Sequence, residues 1–371
     1  MIVRMSELSA EDFQALGVYD PDAPHAAEKL ELLEYLVSLG ASAEDLVANR
    51  DELPGLGTVV AIRGGTPMTL SEAARAAGVS EETLLRINRA AGLPSPDPEA
   101  RVFGPQIAGL AGRMAAAEAV FGQDVVLQLV RVMGSAMARL ADAAVSAFLA
   151  NVEPSVPEDP VGMGVARANA SASALLPVLE EALDGLLRQH ILAARRPITG
   201  ETAEAGYESR AMCVGFVDLV GSTALAQRLS TGELGSVLSE FERLAADGVR
   251  DAGGRVVKLI GDEILYTAGD EATACGIALG LAASFDAHPV IPTVRAGVAG
   301  GSVLMRDGDV FGPVVNLAAR VVKVAAPGEV VAPASLAEAA GVESQPLGPW
   351  ALKGFDGEVE LCRLAPLGAA G

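Results

Sequence analysis

The segment RVVKLIGDEILYTA, residues 255–268, decides how the second half of this chain folds. Two short runs of apolar and β-branched residues flank a Gly-Asp-Glu turn, a pattern that predicts a β-hairpin. The first run nevertheless contains Lys258, and the turn contains Asp262 and Glu263. A solvated turn would account for these charges, and so would a site for a metal ion and a phosphorylated ligand.

The residues around this hairpin alternate between strand-like and helix-like patterns. The strand-like runs lie at 211–220, 294–305 and 328–333, and the helix-like stretches at 223–250 and 270–285. This alternation predicts a mixed sheet with helices, in a domain that spans residues 211–365.

Residues 1–196 have a different pattern, because their apolar residues recur at spacings of three and four. That periodicity predicts an all-helical domain, in which GTVVAI at 57–62 is a short strand candidate. The polar, glycine-bearing stretch 197–210 is predicted to be a linker. The fold class is therefore α+β, with an all-α domain before the mixed domain.

The composition limits the partners and the compartment. The chain has 371 residues and a formal charge of −21, so its surface repels phosphate backbones and argues against nucleic-acid binding. Three cysteines without C-x-x-C spacing, and no signal-peptide pattern at the start, favour a reducing cytoplasm. The apolar segment 120–150 contains four charged residues, so we expect a buried helix and no membrane span.

One motif in the first half has the outline of a helix-turn-helix, at residues 68–94. Ser71 is expected to cap the first helix, Gly78 to make the turn, and Ser80 to open the second helix. The second helix would present three polar residues to DNA: Arg86, Asn88 and Arg89. The alternative, favoured by the acidic composition, is a helical hairpin packed inside its own domain.

Polar residues interrupt other apolar stretches of the second half. FVDLVGST places Asp218 in a strand, followed by the turn Gly221, Ser222 and Thr223, whose free N–H groups suit a phosphate. A strand carboxylate is costly to bury unless a cation compensates it. DGDVFGPVVNLAAR supplies Asp309 and then Asn316 and Arg320, which share one helix face, and LKGF supplies Lys353.

The order of these motifs from Phe216 to Lys353 resembles the class III nucleotidyl cyclases. The resemblance implies a ferredoxin-like catalytic domain in which every matched position keeps its residue type. The implied roles are as follows: Asp218 and Asp262 bind two divalent ions (Mg²⁺ or Mn²⁺), Lys258 and Asp309 read the base, Asn316 orients the ribose, Arg320 stabilises the transition state, and Lys353 contacts a phosphate.

The resemblance implies an adenylate cyclase, which converts ATP to 3′,5′-cyclic AMP and pyrophosphate. A lysine with an aspartate offers a donor and an acceptor, as the N1 and 6-amino groups of adenine require. A guanylate cyclase would need the reverse pattern. A diguanylate cyclase is a further alternative, although Ile260 and Ile264 replace the Gly and Phe of its turn motif. An alternative that is not an enzyme is a DNA-binding regulator whose cyclase-like half only senses nucleotides.

The resemblance also implies a homodimer, in which each active site combines the metal aspartates of one chain with the base-reading, Asn and Arg residues of the other.

The first half resembles the helical, autoinhibitory N-terminal domains of some actinobacterial cyclases, which in places respond to pH or lipids. Within a helix at about 170–196, Leu176, Leu179, Leu183 and Leu186 form a short seam suited to dimerisation, continued by His190. His190 is either a pH-sensitive contact or an exposed residue at the helix end. The helices at 105–150 either enclose a fatty acyl ligand or pack as a core.

Overall fold

The computed structural model describes residues 8–151, 155–194 and 208–365. The chain divides into two compact units, residues 1–198 and 199–371. Of the predicted linker 197–210, residues 197–207 lie outside the described residues, and 208–210 begin the first strand.

The described part of the first unit is helical, apart from one isolated β-bridge between Met68 and Phe103. Its helices are α1 (Ala10–Ala15), α2 (Ala26–Ser38), α3 (Ala43–Ala48), α4 (Leu53–Arg63), α5 (Leu70–Ala77), α6 (Glu81–Ala90), α7 (Pro105–Phe121), α8 (Gln123–Asn151), α9 (Met163–Ser173) and α10 (Leu176–Ala194).

The strand expected at 57–62 is wrong, because these residues belong to α4. Pro54 stands in the first turn of this helix, where its missing N–H costs nothing. Leu56 and Val60, one turn apart, are both buried in a core with α2. Packing of this helical stripe outweighs the strand preference of the two adjacent valines.

The helix-turn-helix outline corresponds to α5 and α6. Thr69, and not the expected Ser71, caps α5, and it forms a capping box with Glu72. Gly78 has the left-handed φ of 68° that ends α5, and Ser80 caps α6 as expected.

Two of the three polar residues that α6 would present to DNA form hydrogen bonds or ion pairs within the first unit. Arg86 pairs with Glu118 of α7 at 3.0 Å, while the buried Asn88 donates a hydrogen bond to the carbonyl of Pro94 at 2.9 Å. Arg89 is exposed. These contacts favour the packed helical hairpin over a DNA-reading helix.

Helix α8 is not the buried helix that we expected. Only Val126, Leu127 and Val130 are buried, because only its first turns pack into the core shared with α5, α6 and α7. Along its whole length α8 also exposes an apolar row: Val125, Leu129, Met133, Met137, Val145 and Leu149. By length and composition alone, α8 is the one helix among the described residues that is long and apolar enough to cross a membrane.

The second unit is a mixed sheet with helices on both faces. Its elements are β1 (Glu208–Leu219), α11 (Ser222–Arg228), α12 (Thr231–Asp251), β2 (Arg255–Ile260), β3 (Glu263–Ala268), α13 (Glu271–Asp286), β4 (Val294–Arg306), β5 (Asp309–Phe311), α14 (Pro313–Val324), β6 (Val330–Pro333), α15 (Ala334–Ala340), β7 (Ser344–Ala351) and β8 (Glu358–Leu364). The strand order is β2-β3-β1-β4-β6-β8-β7, and β5 pairs with β4. The first four strands have the antiparallel order of a ferredoxin-like fold, which confirms the predicted α+β class.

Alternation along β1 divides the core into two layers. Cys213 and Val217 pack with α12 and α13, whereas Val214 and Phe216 pack with α14 on the opposite face. Asp218 follows this alternation and therefore lies on the α14 face.

A glycine sets the distance between α14 and the sheet. A Cβ added to Gly297 of β4 would lie 2.2 Å from the backbone nitrogen of Val322. Only glycine permits such a close approach of helix and strand backbones. The position of α14, and of every side chain on it, therefore depends on this residue.

Candidate functional site

Asp218 is buried near the end of β1 and is neutralised by two cations. Arg295, its cross-strand partner on β4, donates to Oδ2 from two nitrogens at 2.5 and 2.8 Å. Lys323 of α14 lies 3.3 Å from the same oxygen. A buried carboxylate requires such compensation, so the strand aspartate that the sequence singled out is a charged centre.

Asp262 lies in the β2–β3 turn, directly beside the end of β1. The N–H of Leu219 donates to the carbonyl oxygen of Asp262 at 3.0 Å. Gly261 has a φ of 64°, which glycine adopts without strain. The turn therefore brings Asp262 to the same end of the sheet as Asp218, although 43 intervening residues separate them in sequence.

Glu263 is a third carboxylate at this place, although sequence reasoning assigns it only to the turn. It is the register partner of Asp218 across β1 and β3, so both side chains stand on one face. Lys323 lies 3.8 Å from its Oε1. Burial raises the pKa of the Glu263 carboxyl, Lys323 opposes that rise, and the charges of Asp218 and Asp262 add to it.

The oxygen atoms of this cluster fit a divalent cation. Oε1 of Glu263 is buried and accepts no hydrogen bond within the described part of the chain. Side-chain hydrogen bonds to Asp218 in the described ranges all go to Oδ2, which leaves Oδ1 available. Carboxylate oxygens are the ligands that Mg²⁺ and Mn²⁺ prefer. Among the described residues, no three candidate ligands are already grouped as a metal site, and cationic side chains contact Asp218 instead.

Lys258 and Asp309 form a direct ion pair. Nζ of Lys258 on β2 lies 2.5 Å from Oδ2 of Asp309 at the start of β5. The N–H of Val310 donates to the other carboxylate oxygen at 2.8 Å, and Arg255 bonds the carbonyl of Gly308 at 3.1 Å. The start of β5 and the middle of β2 thus hold an acceptor and a donor side by side, partly exposed to solvent.

Helix α14 presents Asn316 and Arg320 to solvent on one face while its opposite face is buried. Nε of Arg320 donates to the carbonyl of Lys353 at 3.4 Å, so the β7–β8 loop with its exposed lysine lies beside Arg320. Within the described ranges, neither Asn316 nor Arg320 has a hydrogen bond or ion pair with Asp218, Asp262 or Glu263. Contacts within one chain therefore bring together three separate groups of predicted site residues: Asp218 with Asp262, Lys258 with Asp309, and Arg320 with Lys353.

The turn after β1 has the conformation that the sequence indicates. Gly221 has a φ of 76° and precedes α11, whose first N–H groups receive no side-chain cap. Ser222 is half-buried and Thr223 is exposed. Their part in ligand binding stays a prediction.

The predicted leucine seam lies on α10, a helix without any buried residue. Leu176, Leu179 and Leu183 are half-buried, whereas Leu186 is 59% exposed and His190 is exposed. The seam is thus only partly covered within the described residues of this chain, and its end at Leu186 and His190 is exposed.

Sequence reasoning missed Arg295 and Lys323 as well as Glu263. A charged residue at the second position of the apolar run 294–305 was the available signal for Arg295. For Lys323 the signal was its position seven residues after Asn316, which places it on the same face of α14.

Comparisons with known proteins cover both units. A family model described as the adenylate cyclase regulatory domain matches residues 14–193. An uncharacterised protein of Mycobacterium tuberculosis is 34% identical over 94% of this chain and 93% of its own length. An adenylate cyclase of Streptomyces coelicolor is 36% identical over 72% of this chain and 70% of its own length.

Two further matches are a relative and a solved structure. A pH-sensitive adenylate cyclase of Mycobacterium tuberculosis is 30% identical over 91% of this chain and 88% of its own length. The crystal structure of the adenylyl cyclase CyaB from P. aeruginosa, 19% identical, covers 43% of this chain and 95% of its own with a TM-score of 0.39. On the evidence of its curated relatives and its regulatory-domain match, the chain belongs to the class III adenylate cyclases, with a helical regulatory domain ahead of the catalytic domain.

Proposed function

We propose that the protein converts ATP to 3′,5′-cyclic AMP and pyrophosphate, with Lys258 and Asp309 selecting adenine. The observation that carries the proposal is the 2.5 Å contact between these two side chains. The ammonium group donates to N1 of adenine, and the carboxylate accepts from its 6-amino group. Guanine has a donor and an acceptor in the opposite places, so the same pair disfavours GTP.

Asp218 and Asp262 would hold two divalent ions, with Glu263 beside them. Bound Mg²⁺ or Mn²⁺ supplies activation of the ribose 3′-oxygen and neutralisation of the phosphates. The chain's own residues do the rest. Arg320 stabilises the negative charge that develops on the α-phosphoryl group, Asn316 orients the ribose, and Lys353 contacts a phosphate. The turn of Gly221, Ser222 and Thr223 lies next to the triphosphate.

The active site would be shared between two copies of the chain. Within the described residues, neither Asn316 nor Arg320 bonds to the carboxylate cluster of its own chain, so we assign both to the site formed with a second copy. Three exposed apolar residues lie close in sequence to the Lys258–Asp309 pair: Leu259 at 40%, Phe311 at 45% and Ile260 at 46%. A partner chain that covers these side chains removes apolar surface from water. Each homodimer would then contain two sites.

Measurement of cyclic AMP from ATP with Mn²⁺ or Mg²⁺ tests this function. We expect product from the full-length protein, much less cyclic GMP from GTP, and loss of nearly all activity in Asp218→Ala, Asp262→Ala and Arg320→Ala. Asp247→Ala is the matched control, because Asp247 is a half-buried carboxylate of α12 that belongs to none of the proposed site residues. Predominant cyclic GMP, or full activity in the site variants, would contradict the proposal.

We further propose that the helical first half inhibits the catalytic half in a cytoplasmic enzyme and relieves this inhibition in response to pH or lipid. One relative is named a pH-sensitive adenylate cyclase, and its similarity extends over both halves. Deletion of residues 1–200 should raise cyclic AMP production and abolish its response to pH between about 5.5 and 8. His190→Ala in the full-length protein reports whether His190 contributes to that response, and fatty-acid vesicles test the lipid alternative. Unchanged activity after the deletion would refute inhibition.

A further inference from the structure

We propose that Lys323 is a built-in counter-ion that competes with the divalent metal for Asp218 and Glu263 and thereby sets the metal affinity of the enzyme. The inference rests on the proposed function, since it assumes that Asp218 binds metal. It concerns a residue that none of the predicted roles includes.

Lys323 lies between two carboxylates of the cluster. Its Nζ lies 3.3 Å from Oδ2 of Asp218 and 3.8 Å from Oε1 of Glu263, so one ammonium group bridges both carboxylates. Each carboxylate attracts the ammonium group, as it would attract a metal ion in the same place. A divalent ion that takes either oxygen would meet the positive charge of Lys323 at short range.

The backbone of α14 prevents the whole helix from moving to relieve that repulsion. Val321 and Val322, the residues just before Lys323, are fully buried. The close approach at Gly297 leaves no space between the helix and β4. The Cα of Lys323 is therefore fixed, and only its side chain can withdraw.

The two cations on Asp218 differ in how readily they can leave. Arg295 is 31% exposed, makes two hydrogen bonds to the carboxylate, and extends from a central strand. The side chain of Lys323 is 52% exposed and holds Asp218 through one longer contact. Its flexible four-carbon stem can reach solvent without disturbing the core. Lys323 is thus the displaceable cation, and Arg295 stays with Asp218 in both states.

The consequence is a metal site that is occupied by the protein's own charge until a divalent ion displaces it. Such a site keeps its carboxylates compensated in the absence of metal, at the cost of metal affinity. Removal of the ammonium group should therefore strengthen metal binding while it weakens the metal-free protein.

The test measures binding of Mn²⁺ alone to the full-length protein. The electron paramagnetic resonance signal of free Mn²⁺ reports how much of the ion remains unbound. Four proteins are compared: wild type, Lys323→Met, Asp218→Asn and Arg250→Met. Arg250 is an exposed α12 residue, so its variant controls for the loss of one positive charge. We expect the Kd of Lys323→Met to be about tenfold lower than that of wild type, and that of Arg250→Met to be unchanged.

A second readout separates competition from a purely structural role. Without metal, Lys323→Met should melt several degrees below wild type, and saturating Mn²⁺ should raise its melting temperature more than that of wild type. A structural role alone predicts the lower melting temperature with an unchanged Kd, and that result would overturn the inference.

The Asp218→Asn variant distinguishes failure of the inference from failure of the proposed metal site. If it loses Mn²⁺ while Lys323→Met binds no more tightly than wild type, the metal site stands and the competition is refuted. If Asp218→Asn binds as tightly as wild type, or no protein binds Mn²⁺, both the assignment of Asp218 and the inference fail. Binding by Lys323→Met where wild type binds none would support the inference.

Discussion

The Nζ atom of Lys258 lies 2.5 Å from Oδ2 of Asp309, although 51 positions separate the two residues in sequence. The hairpin turn and the short strand β5 bring them together, and the N–H of Val310 orients the carboxylate. The pair is partly exposed, and exposed ion pairs contribute only about 0–1 kcal/mol to folding. Its side-by-side donor and acceptor are therefore better explained by ligand recognition than by stability.

A double-mutant cycle on this pair tests that explanation. Lys258→Met and Asp309→Asn should each lower kcat/KM for ATP by about 10- to 150-fold, the effect of losing a charged hydrogen bond to the base. The double variant should be little worse than either single variant, because both act on one base edge. Melting temperatures should change by less than about 4 °C. Additive losses, or a large loss of stability without a change in kcat/KM, would contradict base recognition by the pair.

Two glycine substitutions test whether the close packing of α14 positions the site. In Gly297→Ala the new Cβ would meet the Val322 backbone at 2.2 Å, so the helix must shift. We expect a loss of about 3 kcal/mol, a fall in melting temperature of about 6–12 °C, and more than tenfold less cyclic AMP. The displaced helix carries Asn316 and Arg320.

The matched control is Gly280→Ala in α13, where an added Cβ meets nothing within 4 Å. This change should stabilise the helix by about 0.5–1 kcal/mol and leave activity unchanged. If Gly297→Ala and Gly280→Ala had the same melting temperature and activity, the close approach of α14 to β4 would not determine the position of the helix.

The ion pair between Arg63 and Asp45 predicts a pH-dependent stability of the helical half. Arg63 lies 2.6 Å from Asp45. Burial alone would raise the pKa of the Asp45 carboxyl, but hydrogen bonds from Arg63 and Ser42 outweigh it and lower the pKa from 3.8 to about 2. A lowered pKa means that the carboxylate stabilises the fold above pH 3.8 and loses this effect as the pH falls toward 2. The contribution above that window is about 2 kcal/mol.

Urea unfolding of wild type and Asp45→Asn between about pH 6 and 3 measures this effect. The difference in unfolding midpoint should be largest near neutral pH and shrink as the pH falls. Asp12→Asn is a suitable control, because Asp12 belongs to a similar capping box and is exposed. A difference between wild type and Asp45→Asn that stays constant with pH would refute the role of this carboxylate charge.

The hairpin at 255–268 and the mixed α+β class could be predicted because local patterns define them, whereas the ferredoxin-like fold was expected from the family resemblance. The turn residues and the alternation of strands and helices are visible within short windows of sequence. The convergence of Asp218 with Asp262 could be expected only from the family resemblance, since register across three strands is a tertiary property. Lys323 and Arg295 were missed for the same reason, because their importance lies in distances to a residue on another element.

The errors in the helical half have a related origin. The valines at 59 and 60 favour a strand locally, yet tertiary packing places them in α4. The apolar composition of α8 indicated burial, but the folded chain supplies neighbours only for its first turns. Composition does not reveal how much partner surface a fold offers.

The most direct test of a site shared between two chains is complementation between inactive variants. Asp218→Asn removes a proposed metal ligand, and Arg320→Ala removes the proposed transition-state cation, so each alone should make almost no cyclic AMP. Mixed in equal amounts and allowed to exchange subunits, they should recover about a quarter of the wild-type activity, because half of the dimers contain one intact site of two. No recovery, with exchange verified by differently tagged chains, would contradict the shared site.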